Sequence, residues 1–116
     1  MNRPLPELLA PAGSIDALLA AVAAGADAVY CGLGAFNARA SAKDIEPVEF
    51  ARAVRLAHAH GVRVYVTCNV YLREHELLPA LDLVRKADAA GADAFIVADV
   101  AQVRAIQRAI PHAEIH

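Results

Sequence analysis

Asn37, Arg39, Asn69, Asp99 and His116 are the side chains whose types and places along the chain suit shared chemistry. Two carboxamides, a guanidinium, a carboxylate and an imidazole would hold an anionic or carbonyl-bearing small molecule. The same set would hold the sugar–phosphate and base edge of RNA. Arg39 is the expected anion-binding residue, because its rigid fork matches a carboxylate or phosphate. It follows the glycine-containing run Gly32-Leu33-Gly34 in the longest loop of the chain. Ordinary duties compete for the same residues: Arg39 can pair with Asp44 or Glu46, and Asp99 can cap a helix, as Ser14 is expected to do. No catalytic residue is identifiable.

A metal centre is not expected. His58 and His60 stand two apart on a helix and diverge. His75-Glu76 opens like a metalloprotease helix, but Pro79 stands where the second histidine would fall. No Gly-x-Ser-x-Gly elbow, P-loop or Gly-x-Gly-x-x-Gly run is present.

The elements that must position these groups show in a repeated junction. Gly25, Gly61 and Gly91 recur about every 30–36 residues, each closing an alanine-rich helical stretch and opening a β-rich run. A glycine at the left-handed end of a helix followed by a strand is an αβ junction. Strands are expected at 7–10, 28–31, 62–68, 94–98 and 113–116. Helices are expected from Ser14, from Pro47 to His60, from Leu77 to Ala90 and from Val100 to Ala109. These make four βα units plus the start of a fifth strand. The pattern is that of the first half of a (β/α)8 barrel, with residues 1–116 as its N-terminal half and the rest of the domain absent from this chain. A five-stranded doubly wound sheet is the alternative, but it needs a helix after the last strand. Polar residues at the C-terminal ends of parallel strands then converge, and these are the five named above together with Ser14.

Strand alternation sorts the third strand. Val62, Val64, Val66 and Cys68 share the face that packs on helices, leaving Arg63, Tyr65, Thr67 and Asn69 on the other. Cys31 and Cys68 both fall on the helix side, as small buried hydrophobes. Asp27, Arg63 and Asp93 each follow a junction glycine by two positions, which predicts a row of alternating charge across three adjacent strands.

Composition narrows the class. The chain of 116 residues has a formal net charge of -2, so nothing global favours a polyanion surface. Hydrophobic residues make up 58% and aromatics only 5%, which excludes a disordered chain and implies close helix packing through alanine. Two cysteines exclude a disulfide scaffold or a complete four-cysteine cluster. The longest apolar run, Ala17 to Ala26, is too short to span a bilayer, so a cytoplasmic protein with reduced thiols and no membrane partner is expected.

Taken in order, Pro6-Glu7-Leu8-Leu9-Ala10-Pro11-Ala12-Gly13, Gly25-Ala26-Asp27-Ala28-Val29-Tyr30-x-Gly32, Asn37-Ala38-Arg39-Ala40, Asn69, Asp99 and Glu114-Ile115-His116 resemble the start of the peptidase U32 family. The resemblance covers the whole chain. It implies either a collagenase-like protease, as the family name has it, or an enzyme of oxygen-independent hydroxylation. The latter's substrates are 23S rRNA, the tRNA wobble uridine (drawing on prephenate) or the ubiquinone ring. It also implies a 4Fe–4S cluster in the full-length protein, held by cysteines beyond this chain, which itself carries no cofactor. A non-catalytic fragment is the third reading. A half-barrel alone is expected to be inactive and to self-associate through its unpaired edges.

Overall fold

The structure is a computed structural model and describes residues 6–32, 47–68, 77–97 and 100–116. Strands β1 (Leu9–Pro11), β2 (Ala28–Gly32), β3 (Arg63–Thr67) and β4 (Ala94–Ile96) alternate with helices α1 (Ile15–Ala23), α2 (Pro47–Ala59), α3 (Leu77–Ala89) and α4 (Val100–Ala109). The strands form one parallel sheet in the sequential order β1-β2-β3-β4. The closing segment continues that order: Ile115 bridges Phe95 in parallel, and the Val97 N–H donates to the His116 carbonyl at 3.0 Å. A flavodoxin-type sheet would place β2 outside β1.

Several helix ends have a local cause. Ser14 caps α1, its Oγ accepting from the Ala17 N–H at 3.1 Å. Pro47 opens α2, where its missing N–H costs nothing. The three junction glycines hold φ of +88° (Gly25), +72° (Gly61) and +105° (Gly91), so the expected left-handed helix ends are present.

The four described helices bury their apolar stripes against one face of the sheet. In α2, Phe50, Ala53, Val54 and Ala57 recur at helical spacing; Leu18 and Ala21 do the same for α1, Leu81, Val84 and Ala87 for α3, and Ile106 for α4. They meet Val29, Cys31, Val62, Val64, Val66, Cys68 and Phe95. Gln102 of α4 is also buried, and its Oε1 has no partner among the described residues. The opposite face holds a second, smaller cluster of Ala28, Tyr65 and Ala94, flanked by Tyr30 and Ile96. No helix among the described residues is long and apolar enough to cross a membrane.

Candidate functional site

On the sheet face opposite the described helices, a group of described polar side chains comes together. Register places Ala28 opposite Arg63 and lines up Tyr30, Tyr65 and Ala94. The closing segment brings Glu114 and His116 to the same side, because Phe95 exchanges hydrogen bonds with the backbone of both. On β2 and β4 this face carries Ala28 and Ala94, both fully buried and small. Long side chains from the flanking positions therefore meet above them.

Two such meetings span an intervening strand. The Tyr65 hydroxyl, from β3, crosses β2 and donates to Glu7 at 2.9 Å and 3.1 Å from the two carboxylate oxygens. Arg63, also from β3, crosses β4, its Nη2 donating to Glu114 Oε2 at 2.8 Å. The other oxygen of Glu114, Oε1, lies 2.7 Å from His116 Nε2. The rings of Tyr65 and His116 pack edge to face with centroids 5.1 Å apart, and the Arg63 guanidinium sits 5.2 Å from the Tyr65 ring centre. Strands two apart are separated by about 9.6 Å, twice the 4.8 Å neighbour spacing, so these bridges need long side chains on both sides.

The electrostatics follow the contacts. The hydrogen bond from His116 draws the Glu114 carboxyl below its ordinary range; burial opposes this, and Arg63 reinforces it. Burial pushes the Tyr65 phenol up, helped by its bond to Glu7. Burial works against the Arg63 charge, and Tyr65, Glu114 and Asp93 more than offset it, so the guanidinium stays firmly cationic. The arrangement holds one ionised carboxylate between a cation and an imidazole, with His116 at the C-terminal end of the strands.

Of the residues expected from sequence to line the site, His116 joins this network. Asn37, Arg39, Asn69 and Asp99 lie outside the described residues, as does the His75-Glu76 pair. The sequence alone does not mark Glu7, Arg63, Tyr65 and Glu114 as site residues. The alternation that put Arg63 and Tyr65 on the inward face was their available signal, and Glu114 shares that parity with His116.

The expected charge row is not formed. Register sets Arg63 opposite Ala28, so Asp27 falls on the other face, and Asp93 likewise lies opposite Val64. Both aspartates do a backbone task instead. Asp27 Oδ2 accepts from the Leu8 N–H at 2.7 Å, and Asp93 Oδ2 accepts from the Val64 N–H at 2.7 Å and lies 2.7 Å from His58 Nε2.

Both thiols are buried and free, and burial pushes each up to about 12. No group of three or more histidine, cysteine or carboxylate side chains able to hold a metal ion occurs among the described residues. A 4Fe–4S cluster held by four thiolates does not fit this chain's own residues: it has two cysteines, and both are committed to the helix-packed core.

Comparison with known proteins adds three kinds of relative. The family model described as Peptidase family U32 matches residues 13–116. A tRNA hydroxylation protein of Bacillus subtilis is 34% identical over 96% of this chain, which spans 26% of that relative. A 23S rRNA 5-hydroxycytidine synthase of Escherichia coli is 37% identical over 95% of the chain, spanning 16% of that relative. A protein named collagenase from Porphyromonas gingivalis is 33% identical over 82% of the chain, spanning 23% of that relative. The chain thus spans about a quarter or less of the curated relatives it matches.

Proposed function

From the premise that this chain belongs to peptidase family U32, we propose that it forms the N-terminal half of a (β/α)8 barrel in an enzyme of oxygen-independent hydroxylation. The substrate is an RNA base or a small aromatic ring. The observation that carries the reading is the similarity, across nearly the whole chain, to two relatives named for hydroxylated RNA. The barrel is supported by the sequential strand order, by helices gathered on one face, and by side chains of alternate lanes meeting across buried alanines. Layers filled from alternate strands are how such barrels pack their interiors.

In this reading Asn37, Arg39, Asn69, Asp99 and His116 line the substrate mouth at the C-terminal end of the sheet. Arg39 binds the phosphate or carboxylate, and the remaining groups orient the ring by hydrogen bonds. The cluster that the family resemblance implies would be held by cysteines outside this chain, and the protein would work in the cytoplasm without a membrane partner. The test is nucleoside mass spectrometry of cellular RNA with and without the full-length gene. Loss of a hydroxylated pyrimidine on deletion, restored by the gene, is the expected result. Unchanged RNA together with cleavage of collagen by the purified protein would favour the protease reading, to which the collagenase relative points.

A further inference from the structure

We infer that Glu114, itself anchored by Arg63, is the positioning residue that fixes His116 as the Nε2–H tautomer and so leaves Nδ1 as an acceptor for an N–H or O–H group of the substrate. The inference rests on the reading of His116 as a substrate-facing residue, but the tautomer assignment stands on geometry alone. An ionised carboxylate is acceptor-only. At 2.7 Å from Glu114 Oε1, His116 Nε2 must therefore be the protonated nitrogen. The second oxygen of Glu114 accepts from Arg63 Nη2 at 2.8 Å, which favours the rotamer that faces His116. The depressed proton affinity of Glu114 agrees with an ionised acceptor.

The ring has a second restraint. Its edge-to-face contact with Tyr65 limits rotation, and Tyr65 is buried and tied by its hydroxyl to Glu7. Nδ1 has no partner among the described residues, and the His116 side chain remains 41% exposed. In its neutral form an imidazole so held offers one lone pair outward. It suits the N–H edge of a base or a hydroxyl, and it does not suit a bare phosphate, which would need a donor. A carboxylate behind one nitrogen that sets the chemistry of the other is a general device for orienting histidine.

The experiment is imidazole 15N–1H long-range correlation on the 15N-histidine-labelled full-length protein at mildly alkaline pH. His116 is assigned by its disappearance in His116→Gln. The expected result is a single Nε2–H tautomer whose ring proton exchanges with water at least about tenfold more slowly than in Glu114→Ala. Arg63→Met, which keeps the carboxylate but frees it, should give an intermediate rate. If Glu114→Ala does not fold, the Arg63→Met comparison decides alone. An Nδ1–H tautomer in the unmodified chain, or an exchange rate indifferent to both substitutions, overturns the inference. A normal hydroxylation level with His116→Gln in the full-length enzyme would instead sink the substrate-facing reading, leaving the tautomer result intact.

Discussion

Arg39 and the two cysteines illustrate opposite ways in which a single residue type can be read. Arg39 was marked by chemistry: its planar fork is rigid where lysine offers a flexible point charge. If the proposed function holds, Arg39→Lys in the full-length protein should lower kcat/KM by tenfold or more while the melting temperature stays within about 1 °C. Steady-state kinetics beside a thermal melt decides this, and unchanged kinetics would reduce Arg39 to a surface ion pair. Cys31 and Cys68 were marked by parity as core residues, and both are buried with raised thiol values. The sign of the linkage is fixed by that direction. Each thiol is protonated in folded and unfolded chain below its ordinary value of 9.0, and its contribution is lost as pH rises from there toward about 12. A thiolate at either site would cost the fold on the order of 4 kcal/mol. Stability should therefore fall above about pH 9, and a thiol reagent at pH 8 should label neither cysteine until denaturant is added. Rapid labelling of the native chain would place a thiol at the surface.

Helices and strands were legible in the sequence because their punctuation is local. Pro47 set the start of α2, Ser14 capped α1, and Gly25, Gly61 and Gly91 took the left-handed turn expected of them. What did not follow from sequence was pairing between strands. Counting two residues from each junction glycine made Asp27, Arg63 and Asp93 equivalent. Register differs by one residue between β2 and β3, and one residue is enough to change the face. The inward-facing network was hidden for the same reason: Glu7 and Glu114 are remote in sequence from Arg63 and Tyr65, and only strand pairing brings them within reach. The junction glycines also differ from one another. A Cβ at Gly25 would meet nothing within 4 Å, whereas one at Gly91 would stand 3.1 Å from Val54 Cγ1. Gly25→Ala should thus cost only the left-handed backbone strain, about 1–2 kcal/mol. Gly91→Ala should cost more, since the buried Val54 must give way and φ is further from any alanine minimum. Urea melts of the two variants measure the difference, and equal costs would show that the helix α2 contact yields freely.

At the scale of the molecule, one sheet face is finished and the other is not. The helix-packed face has a continuous core, while among the described residues the opposite face buries only Ala28, Tyr65 and Ala94 and leaves the Arg63, Glu114 and His116 side chains each more than 40% exposed. The β1 edge carries Leu8 at 51% and Leu9 at 40% exposure, with one side of its backbone turned away from β2. An edge of this kind, apolar and without a protective charge on either leucine, is a template for another strand. Within a longer enzyme the proposed second half of the barrel would cover both. For the 116-residue chain alone, the available cover is a second copy. Sedimentation should then show association that grows with concentration, and Leu9→Lys should weaken it, because a lysine on an edge strand opposes pairing. Tyr65→Phe separates edge from face: it removes the hydroxyl held by Glu7 without altering the β1 edge, so it should lower the melting temperature and leave the mass distribution unchanged. A chain that sediments as a monomer at every concentration, and still unfolds cooperatively, would mean that the unfinished face is stable in water, and the half-barrel reading would lose its main physical consequence.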